Sequence, residues 1–140
     1  MQDDYKLDRK MDESEETVPQ AHLINIYNSC EYIKNHSHEK ITLDDLAHRA
    51  GFSKYYYSRL FKTFTGMSFI DYLNNSRIEQ FEKLIANPDT TITEAAYACG
   101  FNSISSFNRV FKKNKGFSPS QYLAFGKNHD EKNQLKHKND

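Results

Sequence analysis

Apolar residues recur at helical spacing along most of this chain, and one arrangement of them occurs twice. From Ala21 the positions Leu23, Ile26, Tyr27, Cys30 and Ile33 fall on one stripe, which predicts an amphipathic helix ending near His36. Tyr57, Leu60, Phe61 and Phe64 stand at i, i+3, i+4 and i+7, and Phe107, Val110, Phe111 and Asn114 take the matching places later in the chain. These stripes predict helices over about 53–65 and 103–115. Between them, Ile70, Leu73, Phe81 and Leu84 mark one long helix from Ser68 to about Ala86. Arg77 lies among those apolar positions and reads as structural, its stem packed and its head paired with a carboxylate.

Polar and glycine positions supply the punctuation. Thr42 with Asp45, and Thr91 with Glu94, have the form of capping boxes that open two short helices. Ala47 and Ala96 are small enough to let a second helix cross closely, while Gly51 and Gly100 permit a sharp turn that leads Phe52 and Phe101 into the core. Gly66 and Gly116 read as C-caps, and Ser68 and Ser118 start new helices, the second with Pro119 at the tolerated first position. Asn87, Pro88 and Asp89 break the long helix before the second set of signals begins.

Aligned with one extra residue in the second copy, the two stretches share Thr42/Thr91, Ala47/Ala96, Gly51/Gly100, Phe52/Phe101, Arg59/Arg109, Phe61/Phe111, Lys62/Lys112, Gly66/Gly116, Ser68/Ser118, Tyr72/Tyr122 and Leu73/Leu123. Chance matches do not keep glycines, aromatics and cations in one order, so the chain carries a duplicated helix-turn-helix unit. The parts predict an all-α protein: a first unit over 21–67, a linker helix over 68–87 and a second unit over 88–126. Acidic residues 1–20 and the stretch 127–140 lack apolar periodicity and are expected to be disordered.

The formal net charge is zero, which by itself argues mildly against a polyanion partner. Divided by segment, the balance changes: residues 1–20 hold seven acids against three bases, 21–126 hold twelve bases against nine acids, and 127–140 hold four against three. The folded part is therefore mildly basic, with acidity displaced onto a tail. No apolar run of transmembrane length and no signal peptide is visible, so a cytoplasmic protein is expected. Cys30 and Cys99 have no CxxC spacing and read as small buried side chains. His36 and His38 lack further ligands at matched spacing, and no catalytic motif is present, so neither a metal, a cofactor nor a catalytic residue is expected.

The outward faces of the two later helices carry the candidate chemistry. Tyr55, Arg59 and Lys62 recur as Ser105, Arg109 and Lys112 at i, i+4 and i+7. A solvated face explains cations in one copy, but not why both copies keep arginine and lysine at the same places. A helix fits the major groove, where the planar fork of Arg59 or Arg109 suits guanine, Asn108 suits adenine or a phosphate, and Tyr55 or Ile104 suits a thymine methyl. Ser53, Lys54, Lys62, Ser103 and Lys112 are placed for phosphates, and Ser58 and Ser105 for either purpose. A linker helix of about 19 residues spans about 28 Å, near the 34 Å or so between successive major-groove openings on one DNA face.

The second-unit stretch GFNSISSFNRVFKKNKGFSPSQYL resembles the signature of the AraC/XylS family of bacterial transcription regulators, within a likeness covering about Ile26 to Phe125. The resemblance implies seven helices in two helix-turn-helix, homeodomain-like subdomains joined by a long helix. It also implies binding to double-stranded promoter DNA, most often to activate transcription, with RNA polymerase as a partner. Its base-reading positions fall on Tyr55, Ser58, Arg59, Ile104, Ser105, Asn108 and Arg109. Leu123 stands where the family often has arginine, and Phe81 where a small residue is common. Members usually carry a sensing or dimerisation domain as well, so this is either a stand-alone binder or part of a longer regulator. The alternative is a helical protein-interaction module that does not bind DNA.

Overall fold

Hydroxyl and glycine punctuation places the helix ends in both halves of the chain. A computed structural model describes residues 18–126, and these form seven helices with no strand among them. They are α1 (Gln20–His36), α2 (Leu43–Ala50), α3 (Lys54–Thr65), α4 (Phe69–Ile85), α5 (Ile92–Ala98), α6 (Ile104–Lys115) and α7 (119–126). The chain divides into two units at the Arg77–Ile78 bond, inside α4 and not at either end of the expected linker. The disorder expected of the tails concerns 1–17 and 127–140, which lie outside the described residues. Val18, within the expected N-terminal tail, packs against the first core.

The duplication extends to individual hydrogen bonds. Thr42 Oγ1 accepts from the Asp45 amide at 3.1 Å, and Thr91 Oγ1 accepts from the Glu94 amide at 3.1 Å. Ser53 Oγ and Ser103 Oγ cap α3 and α6 by accepting from Tyr56 and Ser106, each at 3.1 Å. Each cap satisfies an amide that the first turn would otherwise leave unpaired. Gly66 and Gly116 end the same helices at φ 81° and 88°, and their amides donate to the carbonyls of Lys62 and Lys112 at 2.8 and 2.7 Å. Those backbone angles belong to the left-handed region, where a Cβ is strained.

In the first unit, α1, α2, α3 and the start of α4 enclose Ile26, Cys30, Ile33, Leu46, Ala47, Tyr56, Tyr57, Leu60, Phe61, Phe69 and Leu73. Four apolar residues assigned to stripes, Tyr27, Phe64, Ile70 and Leu84, are exposed, as is Asn114 at the matching place in the second copy, while Tyr56, left out of the stripes, is buried. Each misplaced residue sits at the margin of an apolar stripe, where helical spacing alone does not decide between the core and solvent. The second unit buries Ile78, Phe81, Ala95, Ala96, Cys99, Phe101, Phe107 and Phe111. The later inward positions of α4, Ile78 and Phe81, do not continue the stripe of Phe69 and Leu73, because one helix supplies two cores.

Arg77 is built into the first unit. Its Nε donates to the Ser37 carbonyl at 2.7 Å and its Nη2 to the Glu39 carbonyl at 3.0 Å, two contacts that helical spacing does not announce. Ser37 is the C-cap of α1, and the last turn of a helix leaves carbonyls that favour a cation. In the second unit, Glu82 joins α4 to α6 and α7, accepting from the Tyr122 hydroxyl at 2.8 Å and pairing with Lys115 Nζ at 2.7 Å.

Burial raises the Cys30 thiol above its ordinary value, opposed in part by a hydrogen bond with Tyr72, which suits an inert packed cysteine. Burial likewise pushes the Tyr57 hydroxyl up to about 12, with Ser29 opposing the shift. The folded state therefore holds the proton more tightly than the unfolded chain. Tyr57's contribution is complete below pH 10 and is lost as the pH rises toward about 12. Tyr57→Phe, which installs the side chain that Phe107 already provides in the second unit, should flatten the alkaline loss of stability in that window. Urea midpoints measured from pH 9 to 12 for both proteins check this, and parallel curves would exclude Tyr57 as the responsible group.

Candidate nucleic-acid interface

A helix-turn-helix surface requires that the second helix be held firmly from behind while its other face stays in water. In the first unit, Tyr56, Tyr57, Leu60 and Phe61 anchor α3, and in the second Phe107 and Phe111 anchor α6. The turns before these helices are closed by equivalent bonds, the Phe52 amide to the Ala47 carbonyl at 2.9 Å and the Phe101 amide to the Ala96 carbonyl at 3.2 Å. Ala47 and Ala96 are buried, as a close crossing at those positions requires. Phe101 is buried, while Phe52 is half-buried and packs by its edge against Tyr56 and His22.

On the other face of α3, Lys54, Tyr55, Ser58, Arg59 and Lys62 are exposed. Tyr55, Ser58, Arg59 and Lys62 surround one open depression together with Thr63. Thr63 is absent from the sequence-derived set although it lies four residues beyond Arg59 on the helix, a spacing that could have found it. Lys54 is shared with α2, its Nζ standing 3.9 Å from the Asp44 carboxylate in an exposed pair worth at most about 1 kcal/mol.

On α6, Ser105, Asn108, Arg109 and Lys112 are exposed. Ile104 is half-buried against the second core, so most of its apolar surface is used in packing. Ser53 and Ser103 are half-buried caps whose oxygens already accept amides, which leaves each hydroxyl proton available to an acceptor. Neither α3 nor α6 contains an acidic residue, and α6 ends on Lys112, Lys113 and Lys115. Lys115 is held by Glu82 and is occupied in the fold. Each unit thus presents a helix with a firm apolar back and a polar, cationic front. Among the described residues no group of three or more His, Cys, Asp or Glu side chains is placed to hold a metal ion.

Comparison with known proteins agrees with this geometry. A family model described as a helix-turn-helix domain matches residues 46–124. An uncharacterized HTH-type transcriptional regulator of Staphylococcus aureus strain COL is 38% identical over 93 residues, which are 66% of this chain and 12% of that protein. The uncharacterized HTH-type transcriptional regulator YobQ of Bacillus subtilis is 35% identical over 96 residues, 69% of this chain and 40% of that protein. The chain therefore spans well under half the length of these relatives. Among solved structures, the DNA-binding domain of the global transcriptional factor AdpA, in complex with a target DNA, superposes with a TM-score of 0.66 at 29% identity. That match covers 71% of this chain and 89% of the AdpA domain.

Proposed function

The chain belongs to the AraC-type helix-turn-helix family of DNA-binding transcription regulators, which is not an enzyme family, and from that membership we propose a two-helix reading of double-stranded promoter DNA. In this reading α3 and α6 enter successive major grooves. Tyr55, Ser58, Arg59, Ser105, Asn108 and Arg109 face base edges, with Ile104 at the margin of that set. Ser53, Lys54, Lys62, Ser103 and Lys112 hold phosphates. The observation that carries the reading is the repetition, in two separately packed units, of one capped helix with arginine and lysine at the same exposed positions. The AdpA domain, solved on its target DNA, has the same fold and supports the same partner here. The protein acts in the bacterial cytoplasm and, with RNA polymerase as its partner, as an activator. A sensing or dimerisation domain joins it if the chain is part of a longer regulator.

Selection of bound sequences from a random duplex library tests the proposal. Two short preferred elements about one helical turn apart are expected, and a single element or no enrichment would overturn it. Lys62→Ala and Lys112→Ala should weaken all sequences alike, and each should reduce the slope of log K against log salt by about 0.9. A helical protein-interaction surface would show neither the enrichment nor the steep salt dependence.

A further inference from the structure

A recess of about 240 Å³ lies between α1 and α2, and none of its lining residues borders the depression on α3. Arg49, near the end of α2, is its one charged lining residue. The guanidinium carbon of Arg49 lies over the Tyr32 ring, 4.7 Å from the ring centre. On its own helix Tyr32 stacks with His36, the rings 4.3 Å apart and 22° from parallel, and His36 Nδ1 is paired with Glu39 Oε2 at 2.7 Å. The ring that carries the guanidinium is thus itself held. A stacked guanidinium keeps its plane fixed and leaves its N–H edge to a planar acceptor. Among the described residues no ion pair occupies that edge; Asp45, one turn earlier on α2, is exposed and is not joined to it.

The rest of the lining suits oxygen acceptors. Asn25 and Asn28 reach the recess from one side of α1, each with an amide that can donate two hydrogen bonds. Ser29, only 8% exposed, adds a buried hydroxyl, and Leu46 adds an apolar wall. No lining residue is acidic. The volume is room for about eight water-sized groups, less than a drug-sized ligand fills. Ordering the fork in advance lowers the entropy lost on binding, which matters most for a ligand that makes few contacts. The recess also stands outside the repeat that supplies the DNA-facing cations: Ala98 is opposite Arg49 in the second copy, whereas Arg59 and Lys62 have counterparts in Arg109 and Lys112.

We propose that the recess between α1 and α2 binds a small carboxylic acid, its carboxylate on the Arg49 fork and a second oxygen group on the amides of Asn25 and Asn28. The site is independent of the DNA reading assigned to α3 and α6, and its test needs no DNA. The experiment is an NMR titration of the full chain with succinate at constant ionic strength, following the Arg49 Nε–H and the side-chain amides of Asn25 and Asn28.

These resonances should shift saturably with a Kd of about 1 mM, the range open to so small a ligand, and those of Arg59 and Arg109 should stay in place. Succinamide, of the same length but uncharged, should move none of them. Arg49→Lys keeps the charge and loses the fork, and should bind succinate at least about tenfold more weakly, with core resonances of Ile26 and Ile33 unchanged to show that the unit is folded. Inorganic phosphate and N-acetylglutamate amide, each with a single anionic group, should bind more weakly than succinate. Equal or tighter binding of phosphate would remove the carboxylate assignment, and equal or tighter binding of the capped glutamate would give the recess to an acidic side chain of another protein; either result overturns the proposal. It is overturned as well by the absence of saturable shifts, by equal shifts at Arg59 and Arg109, or by an Arg49→Lys variant that binds succinate as the parent does.

Discussion

Replacing Phe81 with alanine is expected to destabilise the second unit by about 3–5 kcal/mol, the cost of a large aromatic deletion in a core that cannot collapse around the space. Phe81 is fully buried, its ring 4.6 Å from that of Phe107 and 5.5 Å from that of Phe111 between centroids. Both neighbours lie on α6, so the side chain that fills the middle of the core also holds the helix proposed to read DNA. A net stability of about 5–15 kcal/mol is usual for a whole domain, so the loss would leave the second unit partly unfolded at modest temperature. The measurement is thermal or urea unfolding followed residue by residue by NMR, which separates the two units. Ile70→Ala, at an exposed position of the same helix, serves as the comparison and should change stability by no more than about 0.5 kcal/mol. A Phe81→Ala effect under about 1 kcal/mol would mean that the three-ring packing is not what holds the second core together.

The place of Phe81 also shows what was and was not legible in the sequence. Features written in local chemistry were readable: the threonine caps, the glycines at positive φ, the small alanines at the crossing and the duplication that aligns them. Each depends on residues a few positions apart. Features that depend on what lies across from a helix were not readable. Four flanking apolar residues, Tyr27, Phe64, Ile70 and Leu84, fit a helical stripe and yet face water, because the margin of a stripe is decided by the partner surface. The stripe drawn along α4 assumed one core, whereas the helix serves two units divided at Arg77–Ile78. Two carbonyls following α1 accept from Arg77, and carbonyls are present in every residue and so carry no sequence signal. In the candidate interface, most polar positions were legible because they repeat. Thr63 and the Lys54–Asp44 pair do not repeat: Lys113 stands opposite Thr63, Ile104 opposite Lys54 and Thr93 opposite Asp44.

The role of the repeated arginines can be separated from that of the lysines. Arg59→Ala and Arg109→Ala should each weaken binding to the preferred sequence by about 1–3 kcal/mol, or about 5- to 150-fold, and relax base preference at one position. Because the two residues lie in different units, the positions that lose discrimination should differ, and the effects of the double variant should add within about 0.5 kcal/mol. Arg59→Lys and Arg109→Lys sharpen the test. Lysine keeps the positive charge but loses the planar fork that makes two parallel hydrogen bonds to a guanine edge. If these side chains read bases, the lysine variants should retain the salt dependence of the parent and still lose the preference at their position. If they only neutralise phosphates, lysine should restore both affinity and the full preference profile, and the base-reading role would be ruled out. Both arginines stand on exposed faces of helices whose opposite sides are fully packed. Their removal should therefore leave stability within about 0.5 kcal/mol of the parent, so that a loss of binding reports on recognition and not on folding.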